Sequence, residues 1–102
     1  MPDFLYLIHP FRDGFFDAPT AVENAVMDEH FEYLQRAAAD GRVLLAGPCL
    51  DDTFGLVILR AADEQAARLF MFEDPSVKKN VMAAELHPLR LSVVSRQILE
   101  KE

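Results

Sequence analysis

His30 lies in the stretch MDEHFEYLQ, where apolar residues recur at helical spacing. On a helical wheel at roughly 100° per residue, it falls near the centre of the apolar arc. The flanks of that arc are Val22, Val26, Tyr33 and Ala37 on one side and Met27, Phe31, Leu34 and Ala38 on the other. Polar residues take the opposite side of the wheel, namely Asp28, Glu32, Gln35, Arg36 and Asp40. The pattern predicts that the imidazole points toward the protein interior.

A histidine in that position has two interpretations. It can be a neutral core residue whose ring hydrogen-bonds to a backbone carbonyl or a carboxylate. It can instead be a general base at the floor of a pocket, because imidazole exchanges protons near neutral pH. The second interpretation requires a partner carboxylate that fixes which ring nitrogen carries the proton, and both interpretations stay open at this stage.

Asp74 is the leading candidate for that partner. It precedes Pro75 in the stretch EDPSV, which is typical of an aspartate N-cap followed by proline at the first helical position. The capping role alone would explain the residue. The two roles do not exclude each other.

Other kinds of site have little support in the sequence. His9 and His87 fall on the first and last predicted strands without HxH or HxxxH spacing, so we expect no metal site. No GxGxxG, P-loop or GxSxG motif occurs, and we expect no cofactor. Cys49 follows AGP at a strand end, where a buried or turn cysteine is favoured over a reactive thiol.

Composition excludes several classes of protein. The 102 residues suit one domain, and 51% are hydrophobic, yet no apolar run approaches the ~20 residues that span a bilayer. The net charge of −7 and the lack of a Lys/Arg cluster argue against nucleic-acid binding. The opening MPDFLYLIHP has no basic lead-in, so we expect no signal peptide. The single cysteine excludes an intrachain disulfide and favours a cytoplasmic protein.

The pattern along the chain predicts alternating strands and helices. Thr20 and Glu23 form a capping-box signature, and Gly41 is a natural stop. The predicted elements are a strand over 3–9, a helix from 20 to about 40, a strand hairpin over 42–48 and 54–61, a helix over 62–72, a short helical piece over 74–82, and a strand over 84–95. Pro88 implies that the last strand lies at a sheet edge or has a bulge. We expect a domain over residues 1–95 and a polar tail over 96–102.

The order β-α-β-β-α-β predicts an α+β, ferredoxin-like fold with an antiparallel sheet. Both helices of such a fold cover one face of the sheet. The strands are apolar on both faces, however, as in FLYLI and LVIL. We therefore expect the second face to pack against the same sheet of another copy in a homodimer, the alternative being an exposed apolar sheet.

Several fragments together resemble the YciI-like (YCII-related) family. They are FLYLI, DEHFEYLQRAAADGRVLLAGP with His30, FGLVILRAADEQAARLFMFEDPSVKKNVM, and AELHPLRL, and they extend over residues 4–94. The resemblance implies a ferredoxin-like fold that dimerises sheet to sheet as a dimeric α/β barrel. It also implies an active site with a His–Asp pair, which by position is His30 and Asp74. Relatives include a dehydrochlorinase of a chlorinated hydroxyquinol and, in the wider superfamily, muconolactone isomerase.

The chain departs from the shortest members of that family in two places. Its first loop is longer, and this loop could form a pocket lid that carries Phe11, Phe15 and Phe16. The stretch ELHPLRL contains His87, either a polar group in the cavity or a hydrogen-bonded strand residue. We expect His87, Tyr33 and Phe54 to contact the substrate.

These observations lead to three functional hypotheses. The first is a cofactor-free lyase or isomerase in which His30 removes a proton from a small cyclic or aromatic metabolite while Asp74 orients the imidazole. The second is a non-catalytic, dimeric binding or accessory module that uses the same pocket. The third is a structural dimer with His30 as a satisfied core residue.

Overall fold

The structure is a computed structural model that describes residues 1–99. Its elements are β1 (Asp3–Pro10), α1 (Ala21–Ala39), β2 (Val43–Pro48), β3 (Gly55–Arg60), α2 (Glu64–Glu73), α3 (Pro75–Lys78), β4 (Met82–Leu89) and α4 (Arg96–Leu99). The predicted β-α-β-β-α-β order is confirmed, with α3 inserted before the last strand. The single turn α4 lies in the predicted tail, of which residues 100–102 are outside the described residues.

The four strands form one antiparallel sheet in the order β2-β3-β1-β4. Alternate residues of the central strand β1 are buried, namely Phe4, Tyr6 and Ile8. Because side chains alternate across a strand, these residues share the face that α1 and α2 cover. The ferredoxin-like α+β fold is therefore confirmed, and the face that carries Tyr6 is the face on which His30 is also buried.

The N-terminus of α1 has the predicted capping box. The Thr20 hydroxyl accepts from the Glu23 amide at 3.0 Å, and the Glu23 carboxylate accepts from the Thr20 amide at 2.8 Å. At the other end, Asp40 caps the helix and Gly41 follows with φ of +86°, a left-handed conformation that glycine adopts without a steric penalty. Both ends of the helix that carries His30 are thus fixed by local sequence.

Two predicted boundaries are wrong. The last strand ends at Leu89 rather than at Ser95, because Leu89 already pairs with Asp3, the first residue of β1, and within residues 1–99 no partner strand extends further. The short helical piece ends at Lys78 rather than near Met82, since Asn80 takes a positive φ of 59° and Met82 starts β4. The edge position that Pro88 implies is confirmed, because β4 is the outer strand beside β1.

The face of the sheet away from the helices carries a group of apolar side chains on its two central strands. They are half-buried within one chain, and they are Leu5 and Leu7 of β1 with Leu56 and Ile58 of β3. We call these four residues the open face. Among residues 1–99, no helix combines the length and apolar character needed to cross a membrane.

Candidate active site

Asp74 lies between α2 and α3, where it has a structural role at the start of α3. It is the N-cap of α3, where its Oδ1 accepts from the Ser76 amide at 2.9 Å and Pro75 takes the first helical position. Its side chain is fully buried. A carboxylate in this position is favourable because it satisfies amide groups that the first helical turn leaves without partners.

The same carboxylate receives the imidazole of His30 from α1. Nδ1 of His30 lies 2.8 Å from Oδ1 and 2.9 Å from Oδ2 of Asp74. The two residues are 44 positions apart in the chain, so the contact depends on how α1 packs against α3. The structure thus brings together the two residues that the sequence proposes as a pair.

The environment of Asp74 keeps it ionised. Burial favours the neutral acid, but hydrogen bonds from His30 and Tyr6 and from the Ser76 amide outweigh it, so that the pKa of Asp74 is lowered. A carboxylate at hydrogen-bond distance requires a donor, so Nδ1 of His30 carries the proton. In the neutral imidazole, Nε2 is then the basic nitrogen.

An apolar cavity of about 270 Å³ opens beside His30. Within the described part of the chain, Nε2 of His30 has no hydrogen-bond partner. Every side-chain nitrogen or oxygen there that is fully closed off from solvent does have a partner, so Nε2 is not fully closed off. Since His30 also lines the cavity, Nε2 borders this space rather than solid packing. The polar side chains among the described lining residues are those of His30, Gln35 and Cys49.

One wall of the cavity is the first loop. Phe15 is buried and packs edge to face against Phe16 at 5.2 Å, and both line the cavity. Phe11, by contrast, is exposed. Arg12 holds this loop to α1 through a fork of two hydrogen bonds to Glu23 at 2.8 and 2.9 Å, and it also donates to the Ala18 carbonyl.

The three histidines of the chain do not converge. His9 is exposed and pairs with Ala83, while His87 pairs across the sheet with Leu5 and lies near Glu85 on the surface, at 3.1 Å. The structure therefore places His87 away from the cavity of His30. Among residues 1–99, no group of three or more His, Cys, Asp or Glu side chains is arranged to hold a metal ion.

The other predicted substrate contacts separate in the same way. Phe54 lines the cavity, close to the end of β2. Tyr33 does not line it, because it is turned toward α2, where its hydroxyl donates to the Phe70 carbonyl at 2.7 Å and its ring lies 4.7 Å from the Phe70 ring. Of the predicted residues, His30 and Asp74 are in contact, and Phe54 lines the same cavity as His30.

Two residues of the site were not predicted from the sequence. The Tyr6 hydroxyl donates to Oδ2 of Asp74 at 2.8 Å, and the Ser76 hydroxyl donates to Oδ1 at 2.8 Å and lies 3.2 Å from Nδ1 of His30. One signal for Tyr6 was available. The residue shares the buried face of the strand with Phe4 and Ile8, and a buried hydroxyl needs a hydrogen-bond partner. Ser76 offers no comparable signal, since a serine near a helix start is common for local reasons.

Comparison with known proteins agrees with this fold. The model of the YCII-related domain matches residues 4–87. Among solved structures, 5-chloro-2-hydroxyhydroquinone dehydrochlorinase from Burkholderia phenoliruptrix AC1100, in complex with 2,5-dihydroxybenzoquinone, is 20% identical, with a TM-score of 0.64 over 85% of this chain and 93% of that one. No curated protein matches the chain. Because the family model extends over most of its length, the chain belongs to the YCII-related domain family.

Proposed function

We propose that the protein is a lyase or isomerase that acts on a small cyclic or aromatic metabolite, with His30 as general base and Asp74 as its orienting partner. The observation that supports this most directly is the position of the imidazole. Nδ1 is held by a buried, ionised carboxylate, and Nε2 borders an apolar cavity. A base must reach the proton it removes, and this arrangement leaves only Nε2 to do so.

The proposed chemistry is a proton transfer within the cavity. Nε2 of His30 takes a proton from a C–H group of the substrate, and the electron pair left behind forms a double bond. In an elimination a leaving group departs with its own electron pair, whereas in an isomerisation the proton returns to another carbon. Asp74 stabilises the imidazolium that forms, and the low polarity of the cavity strengthens that interaction.

The cavity indicates the kind of substrate. Its volume of about 270 Å³ is just under the usual range for ligand pockets of ~300–1,000 Å³, so it suits a single-ring compound. Aromatic side chains surround it, namely Phe15, Phe16, Phe31 and Phe54. The dehydrochlorinase of similar fold is described as a complex with a dihydroxybenzoquinone, and compounds of this kind are suitable first candidates for the chain.

A panel of chlorinated hydroquinols, halogenated phenols and lactones tests the proposal. Wild-type protein is expected to consume at least one compound, and His30→Gln to consume it ~10²–10⁴-fold more slowly, the usual contribution of a general base. His9→Gln is the matched control, because His9 is exposed and does not line the cavity. Equal rates for wild type and His30→Gln on every consumed compound would exclude the proposed base.

The alternative function is a non-catalytic, small-molecule-binding module. It is favoured by the few polar side chains among the described lining residues, since a carrier needs a fitting apolar space but no second proton donor. Binding of several ring compounds by wild type and by His30→Gln, without conversion of any by either protein, is the result that this alternative predicts. Phe54→Ala is expected to weaken the binding in either case.

We also propose that the working form is a homodimer. Four apolar side chains of the open face are only half-buried within one chain, and such a face on a central sheet favours a partner. A second copy that packs its own open face against this one would complete the burial. The single cysteine, Cys49, suits a reducing compartment, and we propose the cytoplasm.

A further inference from the structure

The carboxylate of Asp74 is held at both oxygens, and by different parts of the chain. Oδ1 accepts from the amide and the hydroxyl of Ser76, two residues further on. Oδ2 accepts from the hydroxyl of Tyr6, which comes from β1 and is 68 positions away. Apart from these donors, each oxygen also contacts Nδ1 of His30.

Tyr6 therefore has a distinct effect on the geometry. The Ser76 contacts are local to the helix cap and hold only one oxygen. Without the Tyr6 hydroxyl, the other oxygen would have His30 as its one remaining partner among residues 1–99, and the carboxylate could rotate about its Cβ–Cγ bond. The bond from β1 fixes the plane of the carboxylate, and hence the direction in which it accepts from the imidazole.

Tyr6 is suited to orienting Asp74 but not to contacting a substrate. Its side chain is fully buried beside Phe70, with the ring centroids 6.3 Å apart, and it does not line the cavity. Burial and the neighbouring carboxylate of Asp74 raise the pKa of Tyr6 far above its usual value, so the phenol keeps its proton and remains a donor. It cannot reach a substrate beside Nε2 of His30.

We propose that Tyr6 is a positioning residue, which acts through Asp74 to keep the proton on Nδ1 of His30 and the free electron pair on Nε2 at the cavity. Its importance for catalysis rests on the proposed function, but its effect on the tautomer does not. In metal sites, side chains that orient a ligand in this way commonly change activity by ~10–100-fold, and we expect an effect of similar size on the proposed reaction in Tyr6→Phe.

Nitrogen-15 NMR of the imidazole side chains, with His30 assigned by comparison with His30→Gln, tests the proposal on the protein alone. In wild type, His30 is expected in the Nδ1-protonated tautomer. In Tyr6→Phe, which removes one oxygen atom, a mixture of the two tautomers is expected. Tyr33→Phe is the matched control for the NMR signal, since its hydroxyl bonds to the Phe70 carbonyl and not to Asp74. An unchanged tautomer in folded Tyr6→Phe would overturn the proposal.

A second measurement does not depend on the fold of Tyr6→Phe. In Tyr33→Phe, Tyr6 is the only tyrosine of the chain, so incorporation of 3-fluorotyrosine strengthens this one donor. If Tyr6 positions Asp74, the stronger donor should hold Oδ2 more firmly, keep His30 wholly in the Nδ1-protonated tautomer and slow the exchange of the Nδ1 proton with water. Faster exchange than in unlabelled Tyr33→Phe, or an unchanged exchange rate, would overturn the proposal. If the NMR changes occur but wild type converts no substrate, the positioning role stands and the proposed reaction fails.

Discussion

Asp74 is the residue at which folding and the proposed chemistry meet, because one carboxylate caps α3 and holds the imidazole. Asp74→Asn is expected to lower the free energy of unfolding by about 1–3 kcal/mol, since an amide cannot accept at both ends and leaves a buried donor without a partner. Urea denaturation at pH 7 measures this.

Asp63→Asn is the matched control. Asp63 also caps a helix by accepting from a backbone amide, but it is exposed, and asparagine caps a helix as well as aspartate does. Equal losses in the two variants would contradict this role of Asp74.

The lowered pKa of Asp74 predicts how stability depends on pH. A carboxyl group whose folded pKa lies below its unfolded value of about 3.8 stabilises the protein fully above that value, and the contribution is lost as the pH falls from there through the folded pKa. The difference in unfolding free energy between wild type and Asp74→Asn should therefore be greatest near neutrality and shrink below about pH 5. Denaturation series at several pH values test this, and a constant difference from pH 7 to pH 3 would contradict it.

At this scale, the sequence predicted that His30 points inward and that Asp74 caps a helix, and both are confirmed. The apolar arc gave the orientation of the histidine, and the DP pair gave the cap. It could not predict the bond between Tyr6 and Asp74, since side-chain periodicity gives the face of a strand but not the residue opposite it. Tyr33 shows the same limit, because it lies on the apolar arc yet turns toward Phe70.

Among the elements, the first loop forms one wall of the cavity through Phe15 and Phe16. The two bonds from Arg12 to Glu23 hold it to α1, and the bond to Arg12 lowers the pKa of Glu23 to about 2, so that this ion pair persists through mildly acidic pH. Arg12→Ala is expected to free the loop and to expose Phe15. Chymotrypsin should then cut after Phe15 or Phe16 several-fold faster than in wild type.

Arg68→Ala is the matched control for the loop, since Arg68 forms an exposed helical ion pair with Glu64 at the same distance of 2.8 Å. Cleavage at the wild-type rate in both variants would show that Arg12 does not hold the loop.

The caps of α1 and α2 could be predicted from local sequence, because each depends on residues three positions apart. The end of β4 could not, because it is set by where β1 begins.

For the whole molecule, the main prediction concerns the open face. Leu7→Lys places a charge in its centre and is expected to halve the molar mass in solution, because a charge buried in an apolar interface is strongly unfavourable. Light scattering of wild type and variant at equal concentrations measures this. Leu69→Lys is the matched control, since Leu69 is exposed on α2. A monomeric wild type would contradict the proposed dimer, although the fold and the site of each chain would remain as described.

The fold could be predicted from the order and periodicity of the elements, since a β-α-β-β-α-β pattern allows few arrangements. The cavity could not, because it results from several segments whose distances only packing determines, among them the loop at Phe15, the face of α1 at Phe31, and the end of β2 near Phe54.

Exchange of substrate hydrogen for deuterium tests the proposed base most directly, because proton removal is visible even when no product forms. Lactones and hydroquinols are incubated in deuterated buffer with wild type and with His30→Gln, and loss of their C–H signals is followed by proton NMR. Wild type is expected to accelerate the loss for at least one compound and His30→Gln to bring it close to the rate without protein. Exchange at the wild-type rate in His30→Gln, or at the rate without protein in wild type for every compound that binds, would contradict the role of His30 as a general base.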